Sequence, residues 1–133
     1  MLAVDLPSLL ATERLGRALA AVLEPPALVM LVGDIGTGKT TLVRHILHAR
    51  GVVGEVVSPS FTLAQSYRGA DGRSLHHLDL YRLAPGEDVD LFAWDDYLSP
   101  DALVFVEWPE AARDVLPAPD VTIALDHVAP TAR

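Results

Sequence analysis

The sequence predicts an α/β fold in which a mostly parallel sheet carries an antiparallel hairpin portion. Three observations lead there. Two short apolar runs, 27–32 and 102–106, have the composition of strands buried on both faces. A glycine-rich loop and then a helical stretch directly follow the first run. Between the two mixed runs 61–68 and 74–81 lies Gly69-Ala-Asp-Gly72, a turn signal that makes them a hairpin. Strand, helix and strand alternate through the first half, as layered α/β architectures require.

Each element has its own reason. Over 8–23, Leu15, Leu19, Val22 and Leu23 repeat at helical spacing, with Glu13, Arg14 and Arg17 off that face. Pro25-Pro26 ends this helix. After strand 27–32 and loop 33–38, residues 40–50 form a helix with Leu42, Val43, Ile46 and Leu47 on one side, and Gly51 stops it. Residues 52–68 are rich in Val, Ser, Thr, Phe and Tyr and read as extended chain broken at Ser58-Pro59-Ser60. The stretch 85–101 carries six acids and no base, and reads as short helices and loops on the surface. Strand 102–106 follows, then a short helix or turn from Trp108-Pro109, and a last strand over 120–125. Repeats, low-complexity tracts and linkers are absent, so one domain spanning 1–133 is expected.

Composition narrows the function. Half the residues are apolar, enough for a core. With no cysteine, disulfides, Cys-bound zinc, Fe–S clusters and thiol nucleophiles are excluded. No apolar run is long enough to span a membrane, and the start, Met1-Leu-Ala-Val-Asp-Leu-Pro7, lacks the basic region of a signal peptide. The expected compartment is the cytoplasm. A net charge of −8 speaks against a sequence-independent nucleic-acid binder, which needs a positive surface.

The strongest motif is Gly33-Asp-Ile-Gly-Thr-Gly-Lys-Thr40, which satisfies G-x-x-x-x-G-K-[ST] between a buried strand and a helix. Gly33, Gly36 and Gly38 allow the backbone of the Gly33–Thr41 segment, Thr37 included, to curl so that N–H groups point at phosphate oxygens. The following helix adds the positive end of its dipole. Lys39 reaches the β- and γ-phosphates, the Thr40 hydroxyl binds Mg²⁺, and Thr41 adds an α-phosphate contact. The alternative is a glycine-rich turn with an exposed lysine. Against it, the chain uses Arg at nine positions and Lys only here, where a compact point charge is needed. The expected fold sharpens to a P-loop NTPase-like three-layer sandwich.

Such a site needs a carboxylate at the end of a neighbouring strand. Asp79 and Glu107 both qualify. Either can be the metal ligand while the other orients the attacking water, and the sequence does not divide these roles. The hydroxyls of Ser58-Pro59-Ser60-Phe61-Thr62 suit a segment that senses the γ-phosphate, or equally a polar loop stiffened by proline. The five histidines form no metal set and read as structural or surface residues. Trp94 and Trp108 read as core or interface aromatics.

Taken together, Gly33–Thr41, Ser58-Pro-Ser-Phe-Thr62, His77-Leu-Asp-Leu-Tyr-Arg82 and Val106-Glu-Trp-Pro-Glu110 resemble the TsaE (YjeE) family of bacterial tRNA threonylcarbamoyladenosine biosynthesis ATPases. The likeness runs through nearly the whole chain in order. It implies an ATP- and ADP-binding, Mg²⁺-dependent hydrolase in the cytoplasm. It also implies a partner, the two-subunit complex that transfers the threonylcarbamoyl group to the adenosine next to the anticodon. Contact with tRNA would be indirect and membranes would play no part. By the resemblance, Lys39 and Thr40 are phosphate and metal residues, Asp79 the Walker-B-like acid, and Glu107 the acid beside the metal. Trp108 is the tryptophan that follows that acid. Thr12, in Thr12-Glu-Arg-Leu-Gly16, matches a pattern near the nucleotide base, and Arg133 a late arginine on the same side. Ser60 and Thr37 stand where Thr and Ala are commoner, and the chain stops at Arg133 where relatives continue with a further strand.

Two other readings compete. A small-molecule kinase would need a cationic lid, for which Arg68, Arg73 and Arg82 are the clustered candidates. A nucleotide-gated adaptor would bind ATP without hydrolysing it. A GTPase fits poorly, because guanine recognition by N-K-x-D needs a second lysine.

Overall fold

Two apolar runs become the centre of the sheet. The computed structural model describes residues 9–34, 36–59, 63–83 and 94–126. These comprise α1 (Leu9–Val22), β1 (Ala27–Val32), α2 (Lys39–Ala49), β2 (Ala64–Arg68), β3 (Ser74–Asp79), α3 (Trp94–Tyr97), β4 (Ala102–Glu107) and β5 (Val121–Ala124), with a 3₁₀ turn at Pro109–Ala112. Among the described residues the strands form one sheet in the order β2-β3-β4-β1-β5. β2 and β3 make the antiparallel hairpin, and the other neighbours are parallel.

β4 is buried at every position and β1 at its four central ones, so neither shows the polar alternation of a half-exposed strand. Their side chains divide by parity. Val29, Leu31, Leu75, Leu103 and Phe105 face Leu42, Val43, Ile46 and Leu47 of α2, with α1 behind them. Leu28, Met30, Leu78, Val104 and Val106 face the other way, against the 3₁₀ turn and the partly buried Trp94 and Tyr97. Helix, sheet and a thinner layer of short elements make the expected three layers.

Local chemistry sets the boundaries. Gly51, at φ +93°, ends α2 in the left-handed region, and Val52 N–H donates to Leu47 O at 3.1 Å. β3 stops at Asp79 rather than 81 because the Asp79 carboxylate accepts the Tyr81 N–H at 3.0 Å and turns the chain. The first hairpin strand begins at Ala64. Ser60, Phe61, Thr62, Arg133 and most of the acidic stretch lie outside the described residues.

Candidate functional site

The parallel strands deliver their carboxyl ends to one edge of the sheet, where α/β folds place ligands. Leu31 pairs with Glu107 and Glu107 with Asp79, so the last residues of β4 and β3 lie side by side next to the exit of β1. Parity points both acids toward α2.

The loop from β1 to α2 is held open by its own bonds. Gly36 and Gly38 adopt φ +81° and +98°, and a Cβ on Gly38 would meet nothing within 4 Å. Glycine is there for its backbone conformation. Gly33 is different: at φ +143°, its Cβ would lie 2.2 Å from Leu125 O, so it lets β5 close against the loop. Thr37 sends its hydroxyl to Asp34 O at 2.8 Å, which shapes the loop. α2 then starts at Lys39 with no side-chain cap, leaving the amides of its first turn facing a cleft.

Gly36, Gly38, Thr41, Tyr81 and Trp108 line that cleft of about 400 Å³, with Lys39, Thr40, Asp79 and Glu107. Lys39 Nζ donates to Gly33 O and, at 2.9 Å, to Asp34 O, and lies 4.2 Å from the Trp108 ring centroid. Tyr81 packs on the same indole at 4.7 Å between centroids. Thr40 Oγ1 donates to Glu107, 2.8 Å from Oε2 and 2.9 Å from Oε1. Burial raises the Asp79 pKa above the ordinary carboxylate value. The Tyr81 N–H opposes the rise, the Glu107 charge adds to it, and His77 and Lys39 oppose it.

Three residues enter the site that residue reading alone did not put there. Trp108, read there as core or interface, forms a wall of the cleft. Tyr81 is half exposed at the mouth. His77 is fully buried, and its Nε2 donates to Glu107 Oε2 at 2.6 Å. The odd-numbered parity of His77, Asp79 and Glu107 on neighbouring strands is the signal that would have found it. Thr12 lies on α1, whose Gly16 packs on His45, one turn from Thr41; the same parallel packing puts Thr12 toward the loop end of α2. Of the 58–62 motif only Ser58 and Pro59 are described; Leu63 N–H donates to Pro59 O at 2.7 Å and Asp79 N–H to Leu63 O at 2.9 Å.

The donors suit a hard cation. Thr40, Asp79 and Glu107 offer only oxygen, the preference of Mg²⁺. Among the described residues no three acidic, His or Cys side chains converge as an all-protein metal cage.

Comparison with known proteins shows the family. The model of the TsaE family, threonylcarbamoyl adenosine biosynthesis protein TsaE, matches residues 6–133. A Haemophilus influenzae tRNA threonylcarbamoyladenosine biosynthesis protein TsaE is 38% identical over 119 residues, covering 86% of this chain and 75% of its own. The proteins of that name from Synechocystis and Streptomyces coelicolor are 42% and 40% identical, covering 79% and 86% of this chain and 68% and 78% of their own. The crystal structure of Bacillus subtilis YdiB superposes with a TM-score of 0.77 at 25% identity, covering 94% of this chain and 76% of that one.

Proposed function

The chain belongs to the TsaE family and so to tRNA threonylcarbamoyladenosine biosynthesis, and from that premise we propose that its cleft binds and hydrolyses ATP with Mg²⁺. The observation that carries the reading is the meeting of Lys39 and Thr40, at the uncapped start of α2, with two carboxylates from adjacent strand ends.

The residues divide the work. First-turn amides of α2 and the Lys39 ammonium bind the phosphate tail, Lys39 exchanging its loop carbonyls for β- and γ-oxygens. Thr40 and Glu107, already in contact, are the metal side of the site. Mg²⁺ held there would supply charge neutralisation for the transferring phosphoryl group. Asp79, one strand over, orients the attacking water. Trp108 and Tyr81 keep bulk water from Lys39. ATP and water yield ADP and phosphate, and no group passes to an acceptor on this chain. The nucleotide cycle supports a separate two-subunit transferase in the cytoplasm, which modifies the adenosine next to the tRNA anticodon.

Two of the three arginines that a kinase lid would use, Arg68 and Arg73 but not Arg82, lie away from the cleft. Arg68 and Arg73 sit at the hairpin turn, Arg68 paired in register with Ser74, whereas Asp79 ends β3 at the opposite edge. Arg68 donates to Gly72 O and Arg73 pairs with Asp71.

The test is phosphate release from ATP with and without the partner complex. Release without an acceptor is expected; tight binding with no release in either condition would leave only the adaptor. Lys39→Ala is expected to weaken ATP binding about 10- to 100-fold, the worth of charged hydrogen bonds. Glu107→Ala is expected to impair turnover and Mg²⁺ use. Unchanged hydrolysis in either variant refutes that residue's role.

A further inference from the structure

We propose that His77 is a positioning residue that locks the Glu107 carboxylate in the orientation used by the nucleotide site. The proposal rests on the Mg²⁺–nucleotide reading above.

His77 is an anomaly in its strand. It lies on the same face of β3 as Leu75, against the α2 side of the core, and is 0% exposed. Its Nδ1 is buried with no partner among the described residues. An unpaired buried nitrogen is a cost that an apolar side chain of similar size would avoid. Among the described residues the imidazole makes one polar contact, to Glu107: Nε2 lies 2.6 Å from Oε2. A carboxylate oxygen accepts, so Nε2 is the donor in this contact.

The contact is also a clamp. In register His77 pairs with Phe105 and Asp79 with Glu107, so the imidazole reaches diagonally across the strand pair. Thr40 meets the same carboxylate from α2. Glu107 is therefore held by one donor from the sheet and one from the helix, and is itself only 2% exposed. With the helix donor alone its side-chain torsions would let it turn away. A second donor from a fixed strand removes that freedom before any ligand arrives, as outer partners do for metal ligands.

The test compares His77→Met with His77→Gln in the full chain. The two side chains have about the same length, and only Gln places an N–H where Nε2 stands. Affinity for a non-hydrolysable ATP analogue is measured by calorimetry in Mg²⁺ and in EDTA, and thermal unfolding is recorded without nucleotide. His77→Met is expected to lose about tenfold or more of the affinity that Mg²⁺ adds, with its EDTA affinity and melting temperature near wild type. His77→Gln is expected to recover most of that loss. The proposal is overturned if His77→Met keeps the full Mg²⁺ gain, if both variants lose it equally, or if affinity falls by the same factor in EDTA. Should the Met variant not fold, His77→Leu takes its place against Gln. A wild-type protein with no Mg²⁺ gain would instead overturn the parent reading, and this inference with it.

Discussion

At the residue scale, the site spends stability for chemistry, and two side chains show it. Trp108 sits at φ +55° in the left-handed region, where a bulky residue is strained by about 1–3 kcal/mol, and there its ring meets Lys39 and Tyr81. Asp79 is buried at the cleft and its pKa is raised, first by desolvation. A raised folded-state pKa means the native protein holds that proton more tightly than the unfolded chain. The stabilising contribution is then complete below the ordinary value of 3.8 and is lost as pH rises through the folded value. At neutral pH the ionised carboxylate works against folding. Asp79→Asn keeps an acceptor for the Tyr81 N–H and removes the charge. Its melting temperature in EDTA is expected to exceed wild type at neutral pH, with the difference closing as pH falls below that ordinary value. A gain of equal size at every pH would refute the electrostatic cause. Lys39 and Thr40 were legible because their chemistry is written in consecutive letters. His77 and Tyr81 were not, because only strand register and the Asp79 turn bring them to the cleft.

At the scale of elements, the parallel pair α1–α2 depends on two contacts that apolar periodicity does not encode. Gly16 lets the helices approach so closely that a Cβ there would lie 2.6 Å from His45 Cβ. Arg50, just past the end of α2, sends Nη1 to Ala20 O at 3.0 Å and Leu23 O at 2.9 Å, and its Nη2 lies 3.4 Å from Asp71 of the hairpin turn. One guanidinium thus satisfies the last carbonyls of α1 and ties them to α2 and to the β2–β3 turn. Arg50→Ala leaves those acceptors in a buried setting and is expected to cost about 1–3 kcal/mol, read from urea unfolding, with ATP affinity unchanged because the contact lies far from the loop. Loss of ATP binding in a folded Arg50→Ala protein would contradict that separation. Strands 27–32 and 102–107 were readable almost to the residue, because burial on both faces leaves an uninterrupted apolar run. The hairpin was readable from its turn. Strand order was not, since nothing local in β1 says that β4 and β5 flank it.

At the scale of the whole molecule, charge decides what the protein can approach unaided. The chain carries −8, and many of its cations are already committed. Lys39 faces its own loop and Arg50 two helix carbonyls. Arg68 bonds the hairpin turn, while Arg17, Arg73 and Arg113 pair with Glu13, Asp71 and Glu110. Surface pairs of this kind add little stability, but they cancel the local positive potential that a phosphate backbone would seek. Binding to nucleic acid without sequence preference comes from displacing counterions with an open basic surface, and typical dissociation constants are about 10⁻⁴–10⁻⁶ M at physiological salt. The isolated protein is expected to bind tRNA more weakly than about 10⁻⁴ M under those conditions, measured by filter binding over a salt series. Its route to tRNA would then run through the transferase complex proposed above, and retention of labelled tRNA is expected only when that complex is added. Micromolar binding by the protein alone, weakening steeply as salt rises, would instead reveal a basic face strong enough to outweigh the net charge, and direct tRNA contact would replace the indirect one.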